Sequence, residues 1–227
     1  MNLIYKGKTK DVFELENGNI LLKFKDDVTG KDGVFDPGAN EIGLSIEGIG
    51  NTNLKVTDFF FSKLRKAGIE THHVSSDLVQ GQMEVLKCKP FGKGIEVIFR
   101  NFAVGSFIRR YGLYAENMMP LNDYVEITLK DDIRQDPLIT EDALIQLNIL
   151  SKEEYDSLVS QTKKISNLIT NILKDKGLKL IDIKLEYGKT TEGKVVLIDE
   201  ISSGNMRVYK NGESLEPQEI SRIILEA

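Results

Sequence analysis

The sequence predicts an α+β fold built on antiparallel sheets, and three observations carry that expectation. Strand-like runs come in neighbouring pairs joined by short turns, as at residues 11–15 and 20–25 around Glu16-Asn-Gly-Asn19. Helical patterns lie between such runs without the strict alternation of a doubly wound parallel sheet. Near the C-terminus, Leu180-Ile-Asp-Ile-Lys-Leu-Glu-Tyr-Gly188 alternates apolar and charged residues with a period of two, the mark of a strand with one buried face.

The remaining elements follow in order. Asp26 to Gly50 is rich in Gly, Asp and Asn and weakly periodic, so it reads as a long functional loop or a disordered stretch. From near Thr52, Val56, Phe59, Phe60, Leu64 and Ala67 keep helical spacing, and Gly68 is a natural C-terminal stop. A soft boundary at residues 75–84 suggests two units, 1–82 and 83–227. Met83 to Cys88, Ile95 to Phe99 and Tyr124 to Leu129 read as strands, and 103–111 as a short helix. Ser151-Lys-Glu-Glu154 is a capping box opening a long amphipathic helix that stops at Gly177. Val195-Val-Leu-Ile-Asp-Glu200 is a second carboxylate-bearing strand, Asn211-Gly212 a turn, and Pro217 the first turn of a last helix.

Composition excludes several function classes. The 227-residue chain carries a net charge of −5, which argues against a nucleic-acid partner. No apolar run reaches membrane-spanning length, and the N-terminus lacks the layout of a signal peptide. The single cysteine, Cys88, permits no internal disulfide and suits a reducing cytoplasm. His72 and His73 are adjacent, so on a strand they would face opposite ways and make a poor metal pair; they read as structural.

Five segments can carry chemistry. Asp182, Lys184 and Glu186 share one face of the 180–188 strand, and Asp199 and Glu200 end the next; carboxylates and a lysine on a stiff sheet can hold a metal and a phosphate. Tyr5-Lys-Gly-Lys-Thr-Lys10 lacks Walker A spacing, yet a glycine turn flanked by Lys8 and Lys10 can surround phosphates with cations and N–H groups. Asp26-Asp-Val-Thr-Gly-Lys-Asp-Gly33 reads equally as a mobile flap or a plain loop. In Arg100-Asn-Phe-Ala-Val-Gly-Ser-Phe-Ile-Arg-Arg110, Arg100 is expected at a strand end, and with Ser106 it would suit a phosphate monoester. In Lys130-Asp-Asp-Ile-Arg-Gln-Asp-Pro137, Asp136 precedes a proline and is expected to be extended, within reach of an amine or metal, with Thr140 as an N-cap.

Together these motifs resemble the SAICAR synthetase family. Gly-Lys-Thr-Lys-Asp-Val, the Gly-Lys-Asp-Gly loop, Arg-Asn-Phe-Ala-Val-Gly-Ser, Asp-Pro-Leu-Ile-Thr, Asp-Ile-Lys-Leu-Glu-Tyr-Gly and Ile-Asp-Glu-Ile-Ser run in the family's order from Tyr5 to about Tyr209. The resemblance implies a two-lobed fold similar to ATP-grasp architectures, with ATP in a cleft between antiparallel sheets. It implies ligation of L-aspartate to an imidazole ribonucleotide carboxylate through an acyl phosphate, with ATP and Mg²⁺ required. By the same resemblance Lys8, Lys10 and Lys130 contact ATP, and Glu186 and Asp199 carry Mg²⁺. Arg100, Ser106 and Arg207 grip the ribonucleotide, with Lys184 at its reacting end. Asp136 and the Asp32-Gly33 loop attend the aspartate and closure. A cytoplasmic homodimer is expected. The chain departs from the family at Ser203-Gly204, where Pro-Asp is usual, which leaves a catalytically weak nucleotide-binding homologue, or a small-molecule kinase on a related scaffold, as alternatives.

Overall fold

The structure, a computed structural model, describes residues 1–31, 33–35 and 41–226. In chain order the elements are β1 (Asn2–Lys6), β2 (Lys10–Glu14), β3 (Ile20–Phe24), β4 (Asp27–Lys31), β5 (Val34–Phe35), β6 (Ile42–Ser45), α1 (Ile49–Lys66), β7 (His73–Asp77), β8 (Gln82–Val85) and β9 (Lys89–Pro90). There follow β10 (Ile95–Phe102), α2 (Ser106–Tyr111), β11 (Pro120–Leu129), α3 (Glu141–Gln146), α4 (Lys152–Asp175), β12 (Lys179–Lys189), β13 (Val195–Ile198), β14 (Met206–Lys210), β15 (Glu213–Ser214) and α5 (Pro217–Leu225).

Two antiparallel sheets face a common crevice. The first runs β1-β2-β3-β8-β7, and the second β11-β10-β12-β14-β15 with β9 and β13 paired to β12. Because β8 pairs with β3 and β7, the division anticipated after residue 82 falls at the start of a strand of the first sheet. β4, β5 and β6 form a small sheet of their own, so the segment expected as one long loop is partly ordered by local pairing. Asp32 lies outside the described residues. Gly33 turns the chain from β4 to β5 at φ 79°, a left-handed conformation that favours glycine.

The helices form where their boundaries predict. α4 opens on the expected capping box: the Glu154 amide donates to Ser151 Oγ at 3.2 Å, and the Ser151 amide donates to Glu154 Oε2 at 2.8 Å. Its buried stripe of Leu158, Ile165, Ile169 and Leu173 packs on β12 and β10. α1 buries Leu54, Phe60, Phe61 and Leu64, ends before Gly68 and packs against α5. One continuous apolar core joins Ile20 and Leu22 of the first sheet to Ile183 and Leu185 of the second through α1, so the two sheets are held in a fixed relation. No helix among the described residues is long and apolar enough to cross a membrane.

Candidate functional site

β12 is the axis of the site. Ile181, Ile183 and Leu185 are buried on its core face, as the alternation requires. On the opposite face Asp182, Lys184 and Glu186 stand beside Arg100, Ile98 and Glu96 of β10, their register partners. β11 adds Glu126 and Thr128, opposite Ile98 and Glu96. The three strands therefore present a checkerboard of acids and bases. Lys184 Nζ pairs with Glu96 Oε1 at 2.8 Å, and Thr128 Oγ1 donates to Glu96 Oε2 at 3.3 Å.

Arg100 corrects one expectation. It lies inside β10 rather than at a strand end, because the apolar run continues as paired strand through Phe102, and its side chain is 2% exposed. Its guanidinium donates to Glu126 Oε1 at 2.9 and 3.1 Å, to Asp182 Oδ2 at 2.5 Å and to Ser106 Oγ at 2.8 Å. Arg110 also donates to Glu126, at 2.5 and 2.6 Å, and Arg207 donates to Asp182 Oδ2 at 2.7 Å. Two buried carboxylates thus hold three arginines around a cavity of about 90 Å³ that Ser106 and Lys184 also line. Gly105 opens α2 at φ 54°, and a β-carbon there would lie 3.1 Å from the Arg207 guanidinium, so glycine lets that group lie flat on the backbone. A cluster of arginines with a hydroxyl among them suits a phosphate monoester.

The larger crevice, about 770 Å³, opens between the two sheets. Its lining combines apolar Val12, Ile20, Leu22, Val85 and Ile198 with charged Lys8, Lys10, Lys130, Glu186, Asp199 and Glu200. Chain start and chain end meet here. The Gly7 amide donates to Lys10 O at 2.8 Å, and a β-carbon at Gly7 would fall 2.5 Å from that oxygen, so only glycine makes the turn. The turn delivers Lys10 Nζ to Asp199 Oδ1 at 3.0 Å and Glu200 Oε2 at 2.5 Å. Lys8 pairs with Asp132 at 2.7 Å across the mouth. The crevice and the arginine cavity share Glu96, Asp136, Lys184 and Asn205, so they form one continuous space with Lys184 at the junction.

The electrostatics of this space are coupled. Burial would lower the Lys10 pKa, yet the charges of Asp199 and Glu200 outweigh it and hold the ammonium protonated well above its ordinary range. Lys130, 2.7 Å from Glu186, is likewise raised against burial by Glu186 and Asp199. Burial and then the Asp199 charge raise Glu186. In Asp199 the burial effect is outweighed by Lys10 and Lys130, and its pKa is lowered. A carboxylate pair of this kind, half-buried and mutually repelling, fits a hard divalent cation. Mg²⁺ needs only one or two protein carboxylates when phosphate and water oxygens complete its shell.

Asp136 corrects a second expectation. It is left-handed at φ 47°, not extended, because it and Gln135 (φ 58°) together close a 3₁₀ turn over Asp132–Arg134. Its amide donates to Asp131 O at 3.0 Å, and its Oδ1 accepts from the Asp131 amide at 2.7 Å. Burial, followed by the nearby Glu96, raises its pKa. Thr140 caps α3 as expected, accepting from the Ala143 amide at 3.3 Å.

Sequence reasoning passed over Glu96 and Glu126 as site residues, although Ile95-Glu-Val and Tyr124-Val-Glu show the same alternation that marked β12. The Ser203-Gly204 departure is accommodated in a 3₁₀ turn, Ser203–Asn205. There the buried Ser203 Oγ donates to Asn53 Oδ1 at 3.0 Å and accepts from Ser221 Oγ at 2.8 Å. Asn205 anchors the turn through the Ser202 amide and the Glu200 carbonyl. Cys88 lines the crevice, and burial pushes its thiol up to about 11, so it stays protonated.

The sequence model of SAICAR synthetase matches residues 3–221. A phosphoribosylaminoimidazole-succinocarboxamide synthase of Clostridium tetani is 56% identical over the full length of both chains. One from Finegoldia magna is 37% identical, covering 92% of this chain and 86% of its own. Among solved structures, a SAICAR synthetase in complex with ADP superposes with a TM-score of 0.83 at 28% identity, over 96% of this chain and 89% of that one. The enzyme from Ehrlichia chaffeensis gives 0.84 at 28%, over 99% and 92%. With a family match spanning nearly every element of the crevice and both sheets, the chain belongs to the SAICAR synthetase family.

Proposed function

We propose that this ATP-dependent ligase of purine biosynthesis joins L-aspartate to the carboxylate of an aminoimidazole ribonucleotide, forming SAICAR, ADP and phosphate. The observation that carries the reading is the junction at Lys184. There a crevice flanked by lysines and paired carboxylates runs directly into a small cavity ringed by arginines.

A carboxylate is a poor electrophile, because its charge is delocalised and oxide is a bad leaving group. Transfer of the ATP γ-phosphoryl group to it cures both faults, and the aspartate amine then displaces phosphate. The chain's residues have definable tasks in this sequence. Lys8, Lys10 and Lys130 bind and orient the ATP phosphates, while apolar Val12, Leu22 and Val85 receive the base. Glu186 and Asp199 hold Mg²⁺, which supplies charge neutralisation to the phosphates when bound. Arg100, Ser106 and Arg207 grip the ribonucleotide phosphate and so aim its carboxylate at Lys184 and the crevice. Lys184, fixed by Glu96, stabilises negative charge developing on that carboxylate. Asp136, whose raised pKa suits a proton acceptor, faces the junction where an amine would attack. The family resemblance assigns the handling of the aspartate to the loop of Gly33 and Asp32, of which Asp32 lies outside the described residues.

The family resemblance also supports Mg²⁺ as the metal, a cytoplasmic homodimer and two lobes, residues 1–82 and 83–227. A catalytically weak homologue is not favoured, since Ser203 and Gly204 occupy an ordered turn and every charged residue assigned above is present in the sequence. Phosphate release with each substrate omitted in turn tests the reading. The ligase requires ATP, the carboxylated imidazole nucleotide and aspartate together; ADP formation that persists without aspartate and without matching phosphate release would instead identify a kinase.

A further inference from the structure

Asp199 and Glu200 are adjacent in sequence, yet both carboxylates reach the Lys10 ammonium, at 3.0 and 2.5 Å. Successive residues of an extended strand point to opposite faces and cannot do this. The left-handed backbone of Asp199, φ 65°, makes it possible by folding the chain back after β13. Such a conformation is disfavoured for a residue with a β-carbon and persists only where its surroundings hold it.

We infer that His72 is the positioning residue that holds this kink, and through it aims the Asp199 carboxylate into the crevice. His72 Nε2 lies 3.0 Å from Asp199 O; a carbonyl only accepts, so Nε2 carries the proton and donates. The His72 amide donates to Leu197 O at 3.0 Å, next to a parallel bridge between Thr71 and Leu197. One residue therefore grips the chain on both sides of Ile198, by backbone at Leu197 and by ring at Asp199. The grip is itself anchored: the Leu86 amide donates to His72 O at 2.7 Å, and the ring, 4% exposed, packs edge-on to Phe61 at 6.1 Å between centroids. His72 also lines the crevice, and its positioning role is the one exerted through the Asp199 carbonyl. The inference rests on the proposed role of Asp199 in nucleotide binding.

The test compares three variants of the full chain by calorimetric titration with ADP and Mg²⁺, with melting temperatures alongside. H72F keeps the ring against Phe61 but lacks a donor, H72L is a second donorless variant, and H72Q returns an N–H close to the position of Nε2. H72F and H72L are expected to weaken ADP binding about tenfold, the loss of one buried hydrogen bond, and to raise the KM for ATP more than they lower kcat. H72Q is expected to recover most of that affinity, even if its melting temperature falls as far as that of H72F. H72F binding ADP as wild type does, or H72Q binding as weakly as H72F, would overturn the inference. Wild-type protein that binds no ADP would overturn it together with the ligase reading, whereas normal wild-type binding with indistinguishable variants would overturn it alone.

Discussion

Lys10 and Glu200, 190 residues apart in the chain, meet at 2.5 Å in the floor of the crevice. Both side chains are 9% exposed, and Asp199 completes the cluster. Removing the cation would strand the buried Glu200 carboxylate and leave the half-buried Asp199 without its closest cation. K10M is therefore expected to lower the unfolding free energy by about 3 kcal/mol in urea titrations, as for a broken buried pair, and to abolish tight ATP binding. A loss below about 0.5 kcal/mol would class the contact with surface ion pairs.

Lys184 lies closer to solvent, its side chain 23% exposed, and pairs with Glu96. K184A should leave the melting temperature nearly unchanged and reduce kcat by about 10²–10³, the usual effect of deleting a preorganised electrostatic group. E186A should abolish turnover while preserving the fold. A wild-type rate in either variant contradicts the assigned site.

The turn at Ser203 permits a test of the family departure. S203P would delete a hydroxyl bonded to both Asn53 and Ser221, and leave two buried polar groups short of a partner. It is expected to cost about 1–3 kcal/mol. A β-carbon at Gly204 would lie 3.3 Å from Ser202 Oγ and 3.7 Å from Asn53 Nδ2, so G204D calls for a small adjustment. The double variant should keep activity within about tenfold of wild type. A gain of several orders of magnitude would show that the natural turn cripples the enzyme.

His72 predicts a pH dependence of stability. Burial lowers its pKa from the usual 6.5 to about 4, against the opposing influence of the Asp199 carbonyl and charge. Between those values the unfolded chain binds the proton and the folded chain does not. The contribution is fully present above pH 6.5 and is lost as pH falls toward 4. The drop in unfolding free energy between pH 7 and pH 5 should therefore be smaller in H72Q than in wild type by about 2 kcal/mol. Equal drops would mean that His72 protonates in the folded state as readily as in the unfolded chain.

Much of this was legible in the chain itself, for local reasons. The period-two pattern of β12, the Ser151 capping box and the Gly68 and Gly177 stops are written within a few residues of where they act. The convergence of Lys10 with Asp199 was reached through the family motifs, since no local pattern reports a contact across most of the chain. What escaped was set by tertiary pairing. Arg100 was placed at a strand end because its buried partners, Glu126 and Asp182, come from other strands. Asp136 was expected to be extended because the preference before proline is local, and the turn with Asp131 overrode it. The β4–β6 sheet sits in weakly periodic sequence, where pairing rather than propensity makes the strands.

The central claim is that the chain's first lysines and last carboxylates surround one nucleotide polyphosphate. A crystal structure with ADP, Mg²⁺ and the carboxylated imidazole nucleotide tests it most directly. The account predicts the ADP phosphates against Lys8 and Lys10, the metal on Glu186 and Asp199, and the ribonucleotide phosphate between Arg100, Ser106 and Arg207. ADP phosphates seated in the arginine cavity, or a nucleotide bound away from the crevice between the sheets, would contradict it.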